Sequence, residues 1–420
     1  MSAPVTGTAL PAAHDEGRTR RQRSGVRPSR CPAPTDTRRG RPTDTGEGHR
    51  TMNFEFSEDQ NMLREQAQSF LRDKCDSRAV RAILEGDDAY DEALWKAIVE
   101  MGWTATTIPE AYGGLGLGHL ELCVIAEELG RVLAPTPFSS SVYLATEALI
   151  QFGSEAQKEA YLPKLAAGEL IGTVAVSEGT RAATQKNLET TAANGAITGT
   201  KIPVPDGDVA DFAIVVAKDS DTAASLYLVD LTGTGVTREA VKTLDPTRSH
   251  AKVEFAGAPG EALGTEGQGW DQLEKLFDRA AVLFAWEQVG GAEAALHMAR
   301  DYAMGRYAFG RPIASFQAIK HKLADMYIAH TLARSNCYYG AWALSTDAPE
   351  LPIAAATARV SATEAFHECS KENIQTHGGM GFTWEFDCHL YYRRSKLLSV
   401  NLGALPRWKD KLVGRLEQSN

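Results

Sequence analysis

From residue 57 onward the apolar positions recur at helical spacing. Ser57 precedes Glu58-Asp59-Gln60 and can cap a helix whose Met62, Leu63, Ala67, Phe70 and Leu71 share one side. A second helix passes through Leu94, Ala97, Ile98 and Met101. The run Pro109-Glu110-Ala111-Tyr112-Gly113-Gly114-Leu115-Gly116-Leu117-Gly118 must be a loop, and it feeds a helix from about His119 to Val132. Two more helical segments follow, near 139–151 and 154–167.

The period then changes. Ile171–Val176, Asp211–Val216, Ser225–Val229 and His250–Phe255 are short runs rich in β-branched residues. Turn signals such as Asn194-Gly195 and Pro205-Asp206-Gly207 punctuate them, which predicts a small all-β domain. Helical spacing returns from Gln268 to about Arg306, from about Phe316 to Leu344, and from Pro352 to Gln375. Helices of that length with broad apolar faces predict a bundle and a subunit interface. The fold class read from this order is α+β, mostly α. A helical domain (52–170) is followed by a central β-sandwich or barrel (171–265) and a C-terminal four-helix bundle (266–420).

Composition narrows the function classes. The chain has 420 residues, 43% hydrophobic and 23% charged, as in ordinary globular proteins. No apolar run is long enough to span a membrane, so no membrane association is expected. The six cysteines lack any CxxC or Cys/His ligand spacing, which argues for reduced thiols in a cytoplasmic protein without a metal site. The net charge of −10 makes nucleic acid an unsuitable partner.

That charge is unevenly spread. Residues 1–50 carry ten arginines, no lysine and five acids, leaving 34 basic against 49 acidic residues for the remainder. This Pro-, Thr-, Gly- and Ser-rich stretch has too few apolar residues to offset the entropy of ordering. Residues 1–51 are expected to be a disordered extension, and translation is expected to start at Met52.

Two motifs carry chemistry. One is Gln375-Thr376-His377-Gly378-Gly379-Met380-Gly381-Phe382, where glycines let a backbone approach a bulky group. The other is Tyr302-(x)3-Arg306-(x)2-Phe309-Gly310-Arg311-Pro312-Ile313, in which an arginine closing a long helix offers a fork of donors suited to a diphosphate. Together they point to a nucleotide-type cofactor.

With the helix–β–helix order, these motifs resemble the acyl-CoA dehydrogenase family over roughly residues 53–415. Further anchors are Phe56-Ser57-Glu58-Asp59-Gln60, Pro109–Gly114, Glu178-Gly179 and Tyr392-Arg393-Arg394-Ser395-Lys396. The resemblance implies FAD as cofactor, an acyl-CoA substrate, and an electron-transfer flavoprotein or similar acceptor. It also implies a homo-oligomer or a pairing with a related subunit. By position, Arg306, Phe309 and Gln317 are similar to the family's cofactor contacts, and Gln375, Gly378 and Gly379 to the segment reaching a neighbouring subunit's FAD. Ser177 matches a Thr or Ser near the flavin ring. The family's reaction is α,β-desaturation: a carboxylate takes the α-proton and the β-hydrogen passes as hydride to flavin N5.

Three departures stand out. The glutamate that commonly serves as base, immediately before a glycine, is replaced by Leu402 before Gly403; only the backbone N–H there can still serve a thioester oxygen. Some members place the base on the long helix, one residue before an arginine, and that position is Asp278 before Arg279. The local alternative for Asp278 is a surface acid pairing with Lys275 or Arg279. Aspartate is one methylene shorter than glutamate, and an error of about 1 Å in reach can cost a hundredfold in rate. The third departure lies in the β-domain, where Gly199-Thr200-Lys201-Ile202-Pro203-Val204-Pro205 stands for a segment ending Trp-Ile-Thr. The expected function is therefore an FAD-dependent acyl-CoA dehydrogenase with Asp278 as base and Arg279 and Leu402 on the substrate. The alternative is a non-catalytic partner subunit that completes the FAD site of a related chain.

Overall fold

The computed structural model describes residues 56–418; the Arg- and Pro-rich stretch 1–51 lies outside the described residues. The first layer is helical. Helix α1 (Glu58–Lys74) starts as expected: the Ser57 hydroxyl accepts from the Gln60 N–H, and the Gln60 side chain accepts from the Ser57 N–H. Asp76 and Asp91 cap α2 (Ser77–Glu85) and α3 (Glu92–Glu100) by the same logic. Helix α4 (His119–Arg131) is buried along most of its length. The segment expected as one helix near 139–151 divides into a wholly buried π-helical stretch, Ser139–Thr146, and α5 (Glu147–Phe152). Helix α6 (Glu155–Ala166) closes the layer, capped by Ser154.

Seven strands follow where the alternation reveals four. They are β1 (Gly172–Ala175), β2 (Thr191–Ala193), β3 (Ala196–Pro205), β4 (Phe212–Lys218), β5 (Ala224–Asp230), β6 (Val236–Ala240) and β7 (His250–Leu263). Strands β2 and β3 form a hairpin on Asn194-Gly195, both at positive φ, a turn that requires such residues. β3 pairs with β7, β7 with β5, β5 with β4, and β4 meets β2 at Lys218, so the sheet closes on itself. β1 lies parallel on β4, and β6 runs along β7. The extra strands escape sequence reading because β3 carries two prolines and β6 is mostly exposed and polar.

The C-terminal layer is built on α7 (Gly269–Gly305). A tight hairpin, β8 (Tyr307–Ala308) and β9 (Arg311–Pro312), leads into α8 (Gln317–Ser345) and α9 (Leu351–His377). α7, α8 and α9 pack on one another, with α10 (Cys388–Leu398) and α11 (Leu405–Gln418) laid against α9. α7 joins the layers because α4 crosses it at very short range. A Cβ on Gly290 would stand 1.8 Å from the Glu127 carbonyl oxygen, and one on Gly130 would stand 1.9 Å from that of Glu287. Only two facing glycines allow those backbones to touch. None of the described helices is long and apolar enough to cross a membrane.

Candidate active site

Asp278 sits in the first third of α7, on its buried face, with 6% of its surface exposed. It pairs with neither Lys275 nor Arg279. Its Oδ2 instead accepts from Arg415 Nη2 of α11 at 2.7 Å. Oδ1 is buried and has no hydrogen-bond partner among the described residues. Burial pushes the carboxyl up to about 6, against the pull of Arg415 and Lys411. A buried carboxylate with one oxygen uncommitted, titrating near neutrality, is what a general base requires.

Arg279 turns the other way. Its Nε donates to Glu147 Oε1 at 2.5 Å and its Nη1 to Asp347 Oδ1 at 2.7 Å, leaving Nη2 without a partner among the described residues. Glu147 also meets His119 Nε2 at 3.0 Å. Although burial opposes ionisation, the His119 and Arg279 contacts outweigh it and hold the Glu147 carboxyl down at about 2. Sequence reading misses Glu147 because its partners lie 28 and 132 positions away.

Leu402 is buried at 2% exposure. Its carbonyl accepts from Trp408 Nε1 at 3.0 Å, while its N–H donates to no described residue.

The second group of candidates gathers at one end of α7. Arg306 ends that helix, exposed, and its guanidinium makes no ion pair or hydrogen bond with a described residue. Phe309 and Gly310 form the two-residue turn between β8 and β9, at φ 54° and 78°. The Phe309 side chain is 95% exposed. Gln317 opens α8, and Gln375 lies in the last turn of α9; both side chains are exposed and without polar partners among the described residues. Gly378, at φ 61°, and Gly379 have nothing within 4 Å of where a Cβ would be. Tyr302 stacks on His377 with ring centroids 3.9 Å apart, bringing the Arg306 and Gly378 segments side by side in one chain. Uncommitted cationic and amide donors beside bare backbone fit a diphosphate.

In the β-domain, Ser177 is half-buried and its hydroxyl has no polar partner among the described residues. Its carbonyl accepts from the Ile202 N–H at 2.7 Å, which fixes the end of β1 against β3. Beneath it Lys201, fully buried, donates to Glu178 Oε1 at 2.8 Å and to the Val176 carbonyl at 3.1 Å. Burial lowers the Lys201 ammonium to about 8, against the opposing pull of Glu178. Glu178 also accepts from the backbone N–H groups of Glu189 and Thr190. A separate cavity of about 550 Å³ opens among Asn194, Asp219, Tyr227 and Glu266, and it includes none of these candidates.

A helical layer, a closed β-sheet and a helical bundle, with a buried carboxylate on the long helix and an exposed diphosphate-type cradle at its end, define an acyl-CoA dehydrogenase architecture. Residues 57–169 match the family's N-terminal domain and residues 267–405 its C-terminal domain, and the chain belongs to the acyl-CoA dehydrogenase family. It is 34% identical over 318 residues to acyl-CoA dehydrogenase IpdE2 of Mycobacterium tuberculosis, covering 76% of this chain and 84% of that one. Among solved structures, butyryl-CoA dehydrogenase from Megasphaera elsdenii superposes with a TM-score of 0.80 at 26% identity, covering 87% of this chain and 100% of that one. The ChsE4–ChsE5 complex from Mycobacterium tuberculosis superposes equally well, at 0.80 and 29% identity over 88% of this chain and 100% of its own. This family and fold are FAD-binding flavoproteins, and the family acts oxidatively on acyl-CoA.

Proposed function

We propose that this chain serves in FAD-dependent α,β-dehydrogenation of an acyl-CoA thioester, with Asp278 as the base that takes the α-proton. The observation that carries this reading is the Asp278 carboxylate itself, buried on α7 with Oδ1 unpartnered and its affinity for a proton raised to about 6. Arg306, Gln317 and Gln375 hold the FAD diphosphate end, with Phe309 against it and the bare backbone of Gly378 and Gly379 allowing close approach. Ser177 offers its free hydroxyl to the flavin ring. When bound, FAD is the oxidant that accepts the β-hydrogen as hydride at N5. The Leu402 N–H and the remaining Arg279 Nη2 serve the thioester end, where developing negative charge needs donors. An electron-transfer flavoprotein or similar acceptor reoxidises the cofactor.

A second reading is favoured by one specific pair of observations: Leu402 stands where the usual base would be, and Asp278, the carboxylate proposed in its place, is held by Arg415. In this reading the chain is the non-catalytic half of a mixed assembly and lends its Arg306–Gly378 cradle to a related chain's FAD. The exposed apolar residues Tyr327, Ile328 and Leu332 on α8 supply a face for that assembly or for a homo-oligomer.

One experiment separates the two. The first reading expects the chain purified alone to be yellow and to bleach with acyl-CoA, and Asp278→Asn to abolish bleaching while FAD stays bound. A colourless lone chain that gains FAD only on co-expression with a related dehydrogenase subunit establishes the second.

A further inference from the structure

The Asp278 carboxylate is gripped from a helix distant in sequence. Along α11, Arg407, Lys411 and Arg415 recur every four residues and so form one stripe. They face Glu274 and Asp278, themselves four apart on α7. Arg407 Nη2 donates to Glu274 Oε1 at 2.7 Å, and Lys411 Nζ donates to the other Glu274 oxygen. Arg415 then spends one nitrogen on the Pro352 carbonyl at 2.6 Å and the other on Asp278 Oδ2 at 2.7 Å. Two anchors, one to a backbone oxygen, leave the guanidinium little freedom. Trp408, buried on the same helix and bonded to the Leu402 carbonyl, fixes α11 to the chain that leads into it.

The consequence is that the two Asp278 oxygens are not equivalent. Oδ2 is committed to a cation, while Oδ1 is buried with no partner among the described residues. Leaving a buried carboxylate oxygen unpaired is costly, so such an atom needs a reason to persist. We propose that Arg415 is the positioning residue for Asp278: it holds Oδ2 as a handle and aims Oδ1 as the atom that receives the proton. This rests on the reading of Asp278 as base. In the step, the C–H bond at the substrate α-carbon breaks and an O–H bond forms at Oδ1, the electron pair staying with the acyl group. The neutral acid keeps its Arg415 hydrogen bond through Oδ2, so the carboxyl does not rotate between states. The other charges bearing on Asp278 are Lys411 of α11, which favours ionisation, and Glu274 of α7, which opposes it.

The test reads Asp278 directly. In the protein alone, an infrared carbonyl band of a protonated carboxylic acid is followed with pH and assigned by its loss in Asp278→Asn. The expected midpoint is about 6 in the unaltered chain. In Arg415→Gln it rises by about 1 pH unit or more, because a cation within hydrogen-bond reach is lost. In Arg415→Lys, which restores the charge, it returns to within about half of that shift. The pH profile of acyl-CoA-dependent flavin bleaching moves in parallel. An unmoved midpoint in Arg415→Gln overturns the proposal, as does the absence of any titrating band removed by Asp278→Asn. Failure of the base assignment reads differently: Asp278→Asn then bleaches normally while the Arg415 shift is still present.

Discussion

The ring of Tyr302 lies against that of His377, with centroids 3.9 Å apart and planes 24° from parallel. Tyr302 is one turn before Arg306 on α7, and His377 immediately precedes Gly378 at the end of α9. This contact assembles two motifs some seventy positions apart into one exposed cradle. The Arg306 side chain is exposed, and its guanidinium has no partner among the described residues, although the backbone is bonded to Tyr302 and Ile313. Arg306→Gln should therefore leave the melting temperature of the flavin-free protein within about 1 °C. Flavin content, read from the ratio of flavin to protein absorbance in the assembled protein, should fall at least about tenfold, as expected for a lost charge-assisted contact. Full flavin occupancy in Arg306→Gln would refute its placement at the diphosphate.

The Asp278 titration sets the direction of pH dependence. Its proton affinity is raised from 3.8 to about 6, chiefly by burial. Only the ionised form can accept a proton, so the rate of acyl-CoA-dependent bleaching should fall about tenfold per pH unit below that midpoint and level off above it. The sign for stability is opposite. Between 3.8 and about 6 the folded state binds more protons than the unfolded state, so this group's contribution declines as pH rises through that window. A rate that stays flat from pH 5 to 8 would remove Asp278 from the chemistry.

Glu147 titrates the other way. Its carboxyl is held down from 4.5 to about 2 while lying beneath the protein surface with Arg279 and His119. The stability it contributes is fully present above 4.5 and is lost as pH falls through about 2. Glu147→Gln leaves the buried Nε of Arg279 without its carboxylate while the Asp347 contact remains, and should cost about 1–3 kcal/mol at neutral pH, measured by denaturant unfolding. Restoring balance with Arg279→Met in the same chain should recover part of that loss; no recovery would show that the pair is not the cause.

The α4–α7 crossing makes a prediction about packing alone. Gly290→Ala places a methyl 1.8 Å from a backbone oxygen that cannot rotate away. The helices must separate, at a cost of about 3 kcal/mol or more. Gly414→Ala, on α11 with nothing within 4 Å, should be neutral or slightly stabilising and serves as the control in thermal melts. Equal melting temperatures for the two variants would contradict the close crossing.

Much of the fold is legible in the chain because its signals are local. The Ser57 capping box, the loop Pro109–Gly118, the Asn194-Gly195 hairpin and the three long helices each declare themselves within a few residues. What escaped reading is non-local in each case. Strand β3 is held by its partners on both edges despite its prolines, and the Ser139–Thr146 stretch takes a π-helical form among buried neighbours. In the site, the two motif segments and Leu402 could be found by position. Arg415 and Glu147 could not, although the four-residue rhythm of Arg407, Lys411 and Arg415 against Glu274 and Asp278 left a trace.

The sequence by itself determined the family, the order of layers and the residues proposed for a diphosphate and a thioester, because those depend on periodicity, turn chemistry and motifs read in order. Tertiary structure alone decided what each charged group faces. Asp278 is not the surface acid that its neighbours Lys275 and Arg279 imply, but a buried carboxylate whose two oxygens differ because Arg415 reaches only one of them. Burial and charge pairing act through space, and the partner that sets the state of Asp278 is 137 positions away.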